Sequence, residues 1–272
     1  MRLSVSNIAW DLTEEDAVAA LLADAGIDRV DVAPGKYFAD PGAASDAEIA
    51  AVRQLWRDRG FAIAGMQALL FGTSGLNLFD DPHGAMFDRL AAVCRIGGGL
   101  GAGALTFGSP RQRDRGDLDD AVVERIASDF FGRLGDVAAS NGTAICLEPN
   151  PAAYNCNFLT GSGEVTGFVR RLGHPAVRMQ LDVGAIAMNG EEPDAVVGDA
   201  ADVIGHVHAS EPMLATLGDG GTPHAAAAAA LRRLRPELTV TVEMAASANE
   251  PHLDAVRRAV ALAARVYGGD GA

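Results

Sequence analysis

Short apolar runs recur along the chain, and each is followed by a longer stretch whose apolar positions repeat every three to four residues. The short runs have strand length, and the longer stretches carry the roughly 3.6-residue period of amphipathic helices. Strands are expected at Leu3–Ser6, Arg29–Ala33, Ala62–Met66, Ala104–Phe107, Ala144–Leu147, Arg178–Leu181, Val203–Val207 and Leu238–Val242. Helices are expected at Glu14–Ala25, Asp46–Arg59, Gly84–Ile96, Asp119–Ser140, Gly163–Leu172, Pro193–Ala200, His224–Leu234 and Pro251–Val266. Thr13 and Asp117 precede acidic first turns, where carboxylates favour the helix dipole. Strict alternation implies parallel strands joined by helical crossovers, and eight such units close a sheet into a barrel. The expected architecture is therefore α/β, one (β/α)8 TIM barrel over residues 1–272. No Pro/Gly-rich linker divides it, and the Ala225–Ala230 run reads as a helix of small side chains packed closely on the sheet.

In such a barrel the chemistry belongs to the rim at the C-terminal ends of the strands. Four polar residues end apolar runs there: Glu148, Asp182, His208 and Glu243. Any one carboxylate alone reads as a helix cap or a surface ion pair. Three carboxylates and an imidazole delivered to one rim by consecutive strands form a hard site for a divalent metal. With oxygen ligands, one imidazole and no thiolate, the set suits Mn²⁺ or Mg²⁺ and also accommodates Co²⁺ or Zn²⁺. Strand side chains alternate in direction, so His206 and His208 share a face with His206 one layer deeper. His208 is then the ligand and His206 a supporting or satisfied core histidine.

Asn7, Lys36, Gln67, Ser109, Arg113, Tyr154, His206 and His224 are the candidate substrate-binding residues. The Gly108–Arg113 segment offers a hydroxyl and guanidiniums for a phosphate, a carboxylate or sugar hydroxyls. The competing reading pairs its arginines with Asp114 and Asp117. Lys36 adds a positive charge after the second strand, while Trp10, Tyr37, Phe71 and Tyr154 cover the pocket or pack between loops. His224 follows the glycine-rich stretch Gly218–Pro223 and either reaches the substrate or simply starts a helix.

Composition narrows the partners. A formal net charge of −14 would repel a phosphate backbone, which disfavours nucleic acid and favours a small molecule. Three cysteines without paired spacing fit a reducing cytoplasm. No apolar run approaches the roughly 18 to 20 residues of a membrane span, and there is no phosphate-cradling GxxxxGK[ST] motif.

The stretches Leu147-Glu148-Pro149, Leu181-Asp182-Val183-Gly184, His206-Val207-His208 and Val242-Glu243 together resemble the sugar phosphate isomerase/epimerase superfamily with the xylose-isomerase-like barrel, which includes the ketose 3-epimerases. The resemblance spans essentially the whole chain. It implies that Glu148, Asp182, His208 and Glu243 bind the metal and that Glu148 and Glu243 also transfer protons. It further implies a carbohydrate substrate and a barrel that self-associates into a homo-oligomer. Abstracting a proton next to a carbonyl produces an enediolate, which a divalent cation stabilises. Two carboxylates then serve as base and conjugate acid, giving epimerisation or 1,2-isomerisation according to where the proton returns.

The departures from that pattern are informative. Ketose 3-epimerases usually carry a histidine three residues after the aspartate and an arginine six after the ligand histidine, where this chain has Ala185 and Leu214. A glutamate often found six residues after the first ligand is replaced by Tyr154. The expected substrate therefore differs from a simple free ketohexose. Three functions follow: an isomerase or epimerase of a carbohydrate or sugar phosphate; a dehydratase or lyase on a keto-polyol or glycoside, using His206, His224 or Glu211 as acid; and a metal- or ligand-binding barrel without turnover. An apurinic-site endonuclease on the same barrel ranks last, because its metals need more histidines than the rim supplies.

Overall fold

Each apolar run pairs in parallel with its neighbour in sequence. In the computed structural model, which describes residues 1–268, the strands close in chain order into an eight-stranded barrel. They are β1 (Arg2–Ser6), β2 (Arg29–Val32), β3 (Ala62–Met66), β4 (Ala104–Phe107), β5 (Ala144–Leu147), β6 (Val177–Asp182), β7 (Ile204–Ser210) and β8 (Thr239–Glu243). Nine helices among the described residues surround it: α1 (Glu15–Asp24), α2 (Asp46–Asp58), α3 (Ala85–Leu100), α4 (Asp120–Ser140), α5 (Ser162–Leu172), α6 (Val183–Asn189), α7 (Pro193–Ala200), α8 (His224–Leu234) and α9 (His252–Tyr267). None is long and apolar enough to cross a membrane.

The period of two along each strand sorts side chains between two environments. Val5, Val30, Phe107, Leu147, Leu181 and Val242 are fully buried, and Phe107 stacks edge-on against Phe131 of α4 with ring centroids 5.3 Å apart. The interleaved positions Ser4, Asp31, Gln180, His206 and Thr241 are also buried, but they bond to one another or to neighbouring side chains. An apolar layer thus joins sheet to helices, while much of the lumen is polar. The alanine-rich stretch lies in α8, where Ala227, Ala228 and Ala230 are buried, as expected for close packing.

Several boundaries differ from the sequence expectations, for local physical reasons. Strands β6, β7 and β8 run on through Asp182, Ser210 and Glu243, because polar side chains facing the lumen do not interrupt the backbone ladder. Thr13 lies within a 3₁₀ turn at Leu12–Glu14, where Glu14 accepts from the Asp11 amide at 2.9 Å, and α1 starts at Glu15. Asp119, not Asp117, stands at the N-cap of α4. Helix α3 continues through Gly97–Gly99 to Leu100, and close packing explains glycine there: a Cβ on Gly98 would lie 2.3 Å from the Asn141 carbonyl oxygen. Helix α6, about two turns immediately after β6, lies outside the helices expected from sequence; Asp182 itself caps it, with Oδ1 accepting from the Ala185 amide at 2.6 Å.

Candidate metal centre and its cavity

Glu148 follows β5, Asp182 ends β6, His208 lies within β7 and Glu243 ends β8. In the ladder Asp182 sits opposite His208, and Ser210 sits opposite Glu243, so four consecutive strands deliver the group to one rim. One ligand atom from each of Glu148, Asp182, His208 and Glu243 lies within 4.8 Å of all the others. His208 Nδ1 is 3.3 Å from Glu148 Oε1 and 3.0 Å from Glu243 Oε2.

The hydrogen-bond accounting distinguishes this group from an ordinary polar cluster. Both nitrogens of the fully buried His208 and Oε1 of Glu148 lack a hydrogen-bond partner, although carboxylates stand close by. Buried polar atoms are normally paired, since desolvating one without a partner is costly. Asp182 is held from behind: Oδ1 caps α6, and Oδ2 accepts from Ser210 Oγ at 2.6 Å. Glu148 Oε2 accepts from Asn150 Nδ2 at 3.2 Å. Gly108 makes room for that carboxylate, because a Cβ there would lie 2.5 Å from Oε2. Burial, followed by repulsion from Glu148 and Glu243, pushes the Asp182 carboxyl up to about 7. Burial opposes charge on His208 as well, but the flanking Glu243 and Glu148 outweigh it and hold its pKa well above the ordinary value. Excess negative charge, orphaned nitrogens and hard oxygen donors are what a divalent cation would satisfy, so these residues fit one.

One layer deeper, His206 is tied to the barrel through Nε2. Its Nε2 lies 2.7 Å from Asp31 Oδ2 and 3.1 Å from Thr241 Oγ1, and Ser4 Oγ donates to Asp31 Oδ1 at 2.9 Å. Burial penalises the Asp31 charge, yet the neighbouring His206 more than compensates and keeps its pKa below the usual range. The rings of His206 and His208 meet edge to face, centroids 5.5 Å apart.

A cavity of about 790 Å³ opens over the centre. Among the residues proposed from sequence to touch substrate, Gln67, Ser109 and Tyr154 line it together with Glu148, Asp182 and Glu243. Gln67 Oε1 is buried and unpartnered, which leaves an acceptor free at the cavity wall. The other five are placed differently. Asn7 is buried, accepting from the Ala33 amide at 2.8 Å, and Lys36 Nζ donates to the Asn7 and Trp10 carbonyls while burial lowers its pKa. Arg113 is completely buried behind the site, donating to the Glu148 carbonyl at 2.8 Å; Arg111 is the guanidinium that lines the cavity. His206 belongs to the floor. His224 is buried between Tyr267 Oη at 2.7 Å and Glu211 Oε1 at 3.3 Å. The sequence reading missed Asn150, Ser210 and Asp31. A period-two reading from His208 would have found Ser210, and Asp31 was visible as a carboxylate between the valines of β2.

Residues 19–265 match the profile of the family described as the xylose isomerase-like TIM barrel. A comparison with curated proteins gives no match. Among solved structures, the chain is similar to a D-psicose 3-epimerase determined in the presence of D-fructose, with a TM-score of 0.79 at 19% identity over 99% of this chain and 100% of that one. It is also similar to a D-allulose 3-epimerase from Methylomonas sp. in complex with D-allulose (0.77, 20%, covering 98% and 97%). A 3-keto-D-glucoside 4-epimerase from E. coli gives 0.76 at 16%, covering 96% of this chain and 98% of that one. At these identities the likeness is one of fold.

Proposed function

We propose, from the premise that the chain belongs to the xylose isomerase-like TIM barrel family, that it is a divalent-metal-dependent isomerase or epimerase of a carbohydrate or sugar phosphate. The observation that carries this reading is the pair of glutamates, Glu148 and Glu243, flanking an orphaned histidine at the base of an open cavity. The printed activities of the structural neighbours, epimerisation of psicose, allulose and a keto-glucoside, support it.

Glu148, Asp182, His208 and Glu243 would hold the cation, with Mn²⁺ or Mg²⁺ suiting the donors best. When bound, a divalent cation would polarise a substrate carbonyl and stabilise negative charge on its oxygen. One of the two glutamates removes the proton next to the carbonyl, and the other returns a proton to the same carbon or its neighbour. Asn150 steadies Glu148 through Oε2, leaving Oε1 free to take up the proton. Asp182 is occupied by Ser210 and the Ala185 amide, which suits a holding role. Gln67 Oε1 accepts a substrate hydroxyl, and Ser109, Gln112 and Tyr154 contribute further polar contacts along the wall. The elimination alternative needs a disengaged acid near the leaving group; His206, His224 and Glu211 are all committed to buried hydrogen bonds.

The test is proton exchange in D₂O followed by NMR over ketoses, aldoses, their phosphates and ring-oxidised keto-glucosides, with Mn²⁺ added and with EDTA as control. EDTA-sensitive deuterium uptake at one carbon is the expected result. Tight metal binding without exchange on any of these sugars would favour a barrel that binds without turnover.

A further inference from the structure

The cavity is larger than the carboxylate cluster needs, and its outer part differs in character from its base. Phe71 is 82% exposed and Met213 is 71% exposed, far above the other large apolar side chains among the described residues. Both line this cavity, along with Leu70 and Leu214. Phe71 follows β3 and Met213 follows β7; in a ring of eight strands closed in chain order, these positions face each other across the mouth.

The backbone here is built against its preferences. Non-glycine residues rarely adopt the left-handed conformation, least of all two in succession. Met213 and Leu214 do so at φ 59° and 54°, and Ala68 and Ser109, also in the cavity wall, at 55° and 50°. The conformation is held from several sides. Tyr154 Oη accepts from the Met213 amide at 2.9 Å, and the Leu214 carbonyl accepts from the Ala245 amide at 2.9 Å. The Leu214 amide donates to the Glu211 carbonyl at 3.0 Å, while Glu211 binds the Gly218 amide at 2.7 Å from within the same loop. The fold thus constrains a loop in order to turn Met213 into open space above the site. Surface apolar groups facing each other over a polar pocket mark where an apolar ligand group sits.

We propose that the substrate is a glycoside. Its sugar ring rests on the polar base formed by Gln67, Asn150 and the carboxylates, and its apolar aglycone, aryl or alkyl, lies between Phe71, Met213 and Leu214. This rests on the isomerase or epimerase reading of the same site. A glycoside has its anomeric carbon locked in an acetal, so the carbonyl that acidifies the exchanging proton is a ring ketone. The reaction that supplies the substrate is then oxidation of a ring hydroxyl. Ala185 and Leu214, where free-ketose epimerases carry histidine and arginine, suit a ligand that presents carbon on that side.

Binding separates this proposal from the chemistry. Phenyl and methyl β-D-glucopyranoside lack a carbonyl and cannot turn over. Titration calorimetry with Mn²⁺-loaded protein should show the phenyl compound binding at least about tenfold more tightly, about 1.4 kcal/mol. Phe71→Ser and Met213→Asn, the latter compatible with a left-handed backbone, should each remove most of that difference and leave the methyl compound unchanged. Equal affinity for the two glycosides, or none for either, overturns the proposal. So does a shift from dimer to monomer in sedimentation on Phe71→Ser without any change in phenyl binding, which would assign the patch to contact between copies. EDTA-sensitive exchange on free ketoses with no phenyl preference would sink the aglycone site alone. A phenyl preference without exchange on any keto-sugar would sink the isomerase reading alone.

Discussion

His206 and His208 stand on one strand, face one lumen and are both buried, yet their nitrogens are used in opposite ways. The His206 Nε2 shares Asp31 and Thr241, whose other contacts reach Ser4, so the lower layer is a hydrogen-bonded floor. One layer up, His208 has carboxylates on two sides and a hydrogen bond to neither. Burial therefore does not distinguish a structural histidine from a candidate metal ligand; the accounting of its partners does. In the lower layer His206, Asp31, Thr241 and Ser4 bond to one another, whereas His208 and Glu148 Oε1 in the upper layer leave polar atoms unpartnered, as a metal-binding group would.

The largest effect that would test this contrast lies in the rate. Glu243→Gln and Glu148→Gln should each reduce proton exchange by about 10³-fold or more, within the range of acid–base catalysis, while circular dichroism melts show a folded barrel. Retained exchange in either variant would end the two-glutamate mechanism. Next come the histidines themselves. His206→Ala strands Asp31 as a buried unpaired charge and should cost about 3–5 kcal/mol in urea unfolding. His208→Ala should sharply weaken Mn²⁺ binding, as measured by calorimetric titration, whereas His206→Ala should leave the metal affinity of the folded protein largely intact. If the two variants behave alike, the floor and the centre are not separate units.

A smaller effect appears with pH. The Asp182 carboxyl titrates near 7 in the folded chain, above its unfolded range, so the native state holds that proton more tightly. Its contribution to stability is full below about pH 4 and is lost as pH rises through about 7. A cation competes for the same oxygens, so the gap in Tm between Mn²⁺-loaded and EDTA-treated protein should widen from about pH 5 to about pH 8. A constant gap would place the cation away from Asp182. The smallest effect separates two arginines. Arg111→Ala should raise KM for a phosphorylated or carboxylated substrate by several-fold, whereas Arg113→Ala should chiefly lower Tm. The reverse pattern would mean that the loop rearranges on binding.

Much of this was legible in the chain. Strand–helix alternation, the polar residue that follows β5, those that end β6 and β8, and His208 in β7 are one-dimensional patterns, and the barrel turns them directly into adjacency. What sequence could not show depended on local backbone conformation. Ser109 at φ 50° leads into a 3₁₀ turn at Pro110–Arg113, and that geometry, not spacing, sends Arg113 inward and leaves Arg111 at the cavity. Lys36 and His224 occupy rim segments, yet backbone carbonyls and Glu211 claim them. Helix α6 was hidden because its start signal is the Asp182 carboxylate, which reads equally well as a ligand.

If Asp182 holds the cation as well as capping α6, the amide of Ala185 is a built-in gauge. Its proton rests on Oδ1 of a carboxylate whose charge depends on whether a cation is near. Loading Mg²⁺, which is diamagnetic, should shift the Ala185 ¹⁵N–¹H resonance and slow its hydrogen exchange. A resonance that stays in place would show that α6 does not sense the centre, whereas one that moves would report occupancy without substrate, turnover or any added label at the site.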